Sequence, residues 1–194
     1  MSQVSFENRT VIVTGAGNGL GKAYALDLGS RGANVVVNDL GGAVDGSGSG
    51  NTPADEVVNE IIENGGQAVA NYDSVATKEG GESIVQTAID NFGTVDAVVN
   101  NAGILRDKSF ANMSEEELSL IIDVHLKGTF FVSQPAFKVM KENTYGRIVN
   151  VASPSGLFGN FGQSNYGAAK MGIVGLTNVL AIEGAKYNIK VNVI

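Results

Sequence analysis

Short runs rich in β-branched and small apolar residues alternate along the chain with longer segments of helical spacing. Strands are expected at 10–14, 34–38, 67–71, 95–99 and 146–151, with a sixth beginning in 188–194. These runs are apolar on both faces, as strands of a parallel sheet covered on both sides must be. Between them the pattern predicts a helix to about residue 31 and another over 52–64, with Thr52 as N-cap and Pro53 at its first position. Further helices are expected at 78–91, at 114–141 (opened by a Ser114–Glu117 capping box and bent near Pro135) and across 163–184. The order strand, helix, strand makes this an α/β chain, a doubly wound parallel sheet. No repeat and no second domain is visible, so 1–194 reads as one domain. The one low-complexity stretch, 41–50, reads as a flexible surface loop. The pattern stops at or just after the sixth strand, where such a sheet normally continues. The expectation is therefore a domain cut short, without its last strand and substrate lid.

Composition narrows the classes. Apolar residues make up 43% of 194, an ordinary globular balance, and the net charge is −7. That charge argues against a general nucleic-acid or membrane surface, and an anionic ligand must then be held locally. There is no Cys and only one His, so disulfides are excluded and no metal site is expected. No apolar run reaches the ~18 residues of a membrane span, and residues 1–10 contain no apolar signal core. The chain is expected to be soluble and intracellular.

Three clusters carry chemistry. The run Gly15, Ala16, Gly17, Asn18, Gly19, Leu20, Gly21 follows the first strand and opens the first helix. Glycines there let backbone N–H groups at a helix N-terminus close on a pyrophosphate. Asp39 ends the second strand, where a carboxylate accepts hydrogen bonds from ribose hydroxyls and repels a 2′-phosphate, favouring NAD over NADP. Asn100, Asn101, Ala102 and Gly103 leave the fourth strand at its carboxyl end, the edge where ligands bind in such sheets. Asp73 leaves the third strand at the same edge and could accept from an adenine amino group. The last cluster is Tyr166 with Lys170 four residues on, preceded by Ser153. Residues four apart share a helix face, and a neighbouring cation favours a phenolate that can trade a proton with a substrate oxygen.

Together these segments, in this order along the whole chain, resemble the short-chain dehydrogenase/reductase superfamily, which implies a Rossmann fold. The stretches 38–42, 71–75, 100–107, 123–130 and 156–166 resemble one branch. It comprises the (3R)-hydroxyacyl-CoA dehydrogenase domains of peroxisomal multifunctional enzymes type 2, most nearly the fungal ones, which carry two such domains in tandem. The resemblance implies that Tyr166 is the general base, that Ser153 orients the 3-hydroxyl, and that Lys170 supports the phenolate and bonds the nicotinamide ribose. It implies a pyrophosphate turn at Gly15, Gly19 and Gly21, Asp39 on the adenosine ribose, NAD as hydride acceptor and an acyl-CoA substrate. A homodimer, or pairing with a second similar domain, is implied too, with the apolar runs 118–124 and 172–182 as candidate faces. So is a peroxisomal location, for which the chain itself carries no targeting tripeptide; otherwise the cytoplasm is expected. His125 departs from the superfamily's usual Asn, whose role there in a proton relay runs largely through its backbone carbonyl. Arg106 and Lys108 are the cations placed to meet CoA phosphates. Two other readings stay open: a dehydrogenase or reductase of another secondary alcohol, such as a 3-ketoacyl carrier protein or a steroid, and a silent NAD-binding or dimerisation piece.

Overall fold

The computed structural model describes residues 4–194; residues 1–3 of the stretch read for a signal core lie outside the described residues. Six strands form one parallel sheet: β1 Thr10–Thr14, β2 Asn34–Asn38, β3 Gln67–Asn71, β4 Ala97–Asn100, β5 Gly146–Asn150 and β6 Ile189–Val193. Their order is β3-β2-β1-β4-β5-β6. The chain thus winds outward from β1 in one direction, then returns to start β4 on the other side of β1. The carboxyl ends of β1 and β4 diverge into opposite crossovers there, which opens a crevice.

Alternation within each strand feeds two cores. Val11 and Val13 of β1 with Val35 and Val37 of β2 pack under helices α1 (Gly19–Ser30) and α2 (Thr52–Glu63). Ile12, Val36, Val98 and Ile148 face the other way, against α3 (Lys78–Phe92) and α5 (Gly128–Glu142). The last long helix, α7, runs Ser164–Gly184, preceded by a short α6 at Pro154–Phe158. Strands β2, β3, β4 and β5 each end on a buried Asn: Asn38, Asn71, Asn100 and Asn150. Their amides cross-link the ends of the sheet. Asn38 donates to Asn71 Oδ1 (2.8 Å), Asn100 to Asn150 Oδ1 (2.8 Å), and Asn150 to Thr177 Oγ1 (2.8 Å).

Two local expectations are corrected. The residue before α2 is Asn51, not Thr52; it makes no side-chain capping bond, and Pro53 sits inside the first turn. The stretch expected as one helix bent near Pro135 is instead α4 (Glu115–Ile121), a π-helical segment Ile122–Lys127 and then α5. The Ser114–Glu117 capping box is present at its start. The extra residue per turn of a π segment is what breaks the regular helix, while Pro135 lies within α5. Proline lacks the N–H that would have bonded the Phe131 carbonyl. Gly81 of α3 packs on that carbonyl so closely that a Cβ at Gly81 would lie 2.5 Å from the Phe131 oxygen.

Gly81→Ala is therefore expected to destabilise the fold by about 1–3 kcal/mol, because overpacking outweighs a helix-propensity gain of about 1 kcal/mol. Urea unfolding checks this; an unchanged or raised midpoint would show that α3 and α5 can separate freely.

Candidate active site

The crevice between β1 and β4 is a cleft of about 750 Å³ lined by Gly15, Asn18, Gly19, Leu20, Gly21, Asp39, Asp73, Ala102 and Gly103, with the 40–46 segment along one wall. Its floor is set by backbone packing. Gly15 has φ +62°, and a Cβ there would sit 2.8 Å from Ala102 Cα. The Thr14 hydroxyl accepts from the N–H groups of Asn101 and Ala102, both at 3.1 Å, while Asn101 Nδ2 donates to the carbonyls of Thr14 and Gly15, both at 3.0 Å. Thr14 and Asn101 thus staple the glycine turn to the turn after β4, a role the sequence reading missed. The signal available was a polar residue closing an otherwise apolar strand.

Asp39 accepts from Gly17 N–H and Gly41 N–H, both at 2.7 Å. One carboxylate therefore fixes the glycine turn and the loop after β2 while still bordering the cleft. Asp73 Oδ2 accepts from Ser83 Oγ (2.7 Å) and Asn71 Nδ2 (2.9 Å). Asn100 does not reach the cleft: it is buried, and its Nδ2 is spent on Ser133 Oγ and Asn150 Oδ1. Its neighbour Asn101 lines the cleft instead. The 41–50 stretch is a surface loop, as expected, with 42–49 exposed. It folds along the cleft, Val44 O accepts from Leu105 N–H at 3.0 Å, and Gly46 packs on Ile104.

The opening of α1 suits an anion. Its N-cap, Asn18, makes no side-chain bond, and its first turn carries no acid. The first-turn N–H groups and the positive end of the helix dipole are thus left to a ligand. A dinucleotide pyrophosphate fits such a set of donors in an otherwise acidic chain.

Ser153, Tyr166 and Lys170 follow β5. Ser153 caps α6, its Oγ accepting from Ser155 N–H at 3.2 Å, so the hydroxyl proton stays free to donate elsewhere. Asn165 is buried and donates to the carbonyls of Arg106 (3.0 Å) and Glu117 (3.1 Å), while its Oδ1 accepts from Tyr166 N–H at 2.7 Å. That fixes where α7 begins. Lys170 is 4% exposed, and its Nζ donates to the Val151 carbonyl at 2.6 Å and lies 5.5 Å from the Tyr166 ring centroid. Burial lowers its pKa to about 8. His125 lies in the π segment, 2% exposed. Burial first, and the Lys170 charge second, hold it down to about 4, so the imidazole is neutral at pH 7. Arg106 Nε is buried without a partner, and Lys108 is exposed.

Among the described residues no helix is long and apolar enough to cross a membrane. The short-chain dehydrogenase family model matches residues 9–194. A peroxisomal hydratase-dehydrogenase-epimerase of Saccharomyces cerevisiae is 61% identical over 97% of this chain and 21% of its own length. Among solved structures, full-length peroxisomal multifunctional enzyme type 2 of Drosophila melanogaster superposes with TM-score 0.82 at 46% identity, over 98% of this chain and 31% of that one. An NAD+-bound xylitol dehydrogenase gives TM-score 0.89 at 28% identity, over 97% of this chain and 69% of that one. The chain thus spans about a fifth of the yeast protein's length and about a third of the fly protein's. By sequence match, sheet order and the glycine turn at the β1–β4 crevice, this chain belongs to the short-chain dehydrogenase family.

Proposed function

We propose that this chain is an NAD-dependent dehydrogenase domain that oxidises (3R)-3-hydroxyacyl-CoA to 3-ketoacyl-CoA in fatty-acid β-oxidation. The observation that carries the proposal is the buried Lys170 ammonium, bonded to Val151 O and stacked one helical turn from Tyr166. That places a fixed positive charge one helical turn from the phenol proposed to exchange a proton with the alcohol. Ser153, whose Oγ already accepts a backbone N–H, donates its own proton to the substrate oxygen and holds it for Tyr166. Lys170 has further N–H groups with which to bond a ribose hydroxyl.

The glycine turn and the first turn of α1 hold the pyrophosphate, Asp39 the adenosine ribose and Asp73 the adenine amino group. Ala102 and Gly103 leave room for the flat nicotinamide. Asn100 supports this group only from behind, through Asn150 and Ser133. When bound, the cofactor supplies the hydride acceptor. The acyl-CoA class rests on the resemblance of stretches 38–42, 71–75, 100–107, 123–130 and 156–166 to the (3R)-hydroxyacyl-CoA dehydrogenase branch, with Arg106 and Lys108 offered to the CoA phosphates. The peroxisomal location rests on the same likeness. Leu118, Phe130, Met171, Val179 and Ile182 are exposed on α4, α5 and α7. We assign them to pairing with a second copy or a second similar domain.

Tyr166→Phe is expected to lower kcat for NADH formation from (3R)-3-hydroxyacyl-CoA by about 10²–10⁴-fold, with the NAD Kd from calorimetry nearly unchanged. Loss of NAD binding in that variant would make the Tyr structural. Asp39→Ala is expected to weaken NAD by about 10–100-fold, the worth of a bond to a charged group, and NADP much less. Equal losses for both cofactors would mean that Asp39 only braces the glycine turn through Gly17 and Gly41. Lys170 titrates lower folded, near 8, than its ordinary value of 10.5. Between those values the unfolded chain binds the extra proton, so this group adds stability as pH rises. Thermal melts of wild type and Lys170→Met from pH 7 to 10.5 should show wild type gaining on the variant through that window; parallel curves would contradict it.

A further inference from the structure

His125 makes contacts that a merely packed residue would not need. Its Nε2 lies 2.8 Å from the Ile104 carbonyl and 3.1 Å from the Ile104 N–H. One nitrogen cannot donate to the first and accept from the second at once. The shorter distance favours the proton on Nε2. Each tautomer leaves one N–H without an acceptor: the Ile104 N–H when the proton is on Nε2, the buried ring N–H when it is on Nδ1. The ring also excludes any side chain at residue 103, because a Cβ on Gly103 would lie 2.5 Å from His125 Cε1. The same imidazole meets Tyr166 edge to face, with centroids 5.0 Å apart and planes at 84°. On one side it grips the Gly103–Ile104 turn, and on the other it walls the phenol.

We infer that the His125 side chain is a positioning residue for Tyr166: a neutral, single-tautomer ring clamped on Ile104 that fixes the orientation of the phenol against the Gly103–Ile104 turn. This rests on Tyr166 being the base proposed above. The ring acts on Tyr166 by its shape, the bond to Ile104 serving to hold the imidazole in place, and takes no proton in the reaction. Lys170, the cation packed near both rings, disfavours a second positive charge there.

His125 is the chain's one histidine, so the nitrogen-15 spectrum of its imidazole is unambiguous. At pH 7 the expected result is two widely separated resonances, with the proton on Nε2. A tautomer-averaged pair would overturn the clamp. In carbon-13-tyrosine protein, the Tyr166 ring signals, assigned by their loss in Tyr166→Phe, should shift in His125→Ala; unmoved signals would overturn the contact. Neither readout needs substrate, so wild-type chain inert towards (3R)-3-hydroxyacyl-CoA would sink the functional reading alone.

With turnover in hand, His125→Ala should lower kcat by about 10–100-fold, the cost of an ångström-scale misplacement, at unchanged NAD Kd. His125→Phe, which restores a ring beside Tyr166, should recover most of that loss. His125→Asn, which restores bonding to Ile104 without a ring, should stay near the Ala value. Recovery by Asn equal to or above that by Phe would overturn the proposal, as would wild-type kcat in His125→Ala. Should the Phe variant fail to melt cooperatively, the Asn–Ala comparison decides alone.

Discussion

An ammonium group almost entirely removed from water sits at the centre of this molecule, and its bond to the Val151 carbonyl compensates it. Burying a charge is costly unless it is held by good partners, and the position of Lys170 constrains much else. Val151 must leave β5 with its carbonyl turned to α7. The start of α7 must be fixed, which Asn165 does by reaching two carbonyls on separate segments. Burial pulls the Lys170 pKa down to about 8, so the protein keeps a cation beside Tyr166 at some cost to its own stability. Such a cost is ordinary at a functional site.

The row of buried asparagines supports that arrangement from behind. Asn100, Asn150 and Thr177 form a chain of amide and hydroxyl bonds from β4 through β5 to α7. Apolar residues would pack as densely there but would not fix direction. An amide hydrogen bond has one favoured direction, and losing one there would leave a buried donor unpaired at a cost of ~1–3 kcal/mol. The strand ends and α7 are therefore held in register on the edge where the cleft opens.

The strands and most helices were legible in the sequence because period and burial agree: Val11, Val13, Val35 and Val37 share one core while Ile12 and Val36 share the other. The glycine turn was placed correctly because strand, turn and helix follow without interruption. The π segment was not legible. Buried residues at 121, 125, 128, 129 and 132 read as an ordinary helical stripe, so the sequence points to Pro135, which lies within the regular helix α5. Of the asparagines that close β4, Asn101 lines the cleft and Asn100 does not, since successive side chains of a strand end face opposite ways. The 41–50 loop is exposed, as its Gly/Ser composition predicts; its contacts with Leu105 and Ile104, distant in sequence, are what composition does not show.

Those last contacts give residues 104–108 a structural importance that their composition hides. Leu105 N–H bonds Val44 on the cofactor side, and Ile104 meets His125. Arg106 O receives Asn165, Asp107 receives Gln163 Nε2 at 2.8 Å, and Lys108 N–H bonds Gly162 O at 2.8 Å. Five consecutive residues thus tie the wall of the dinucleotide cleft to the helix that carries Tyr166 and Lys170. The wall of the cleft and the start of α7 are therefore joined through one short backbone segment.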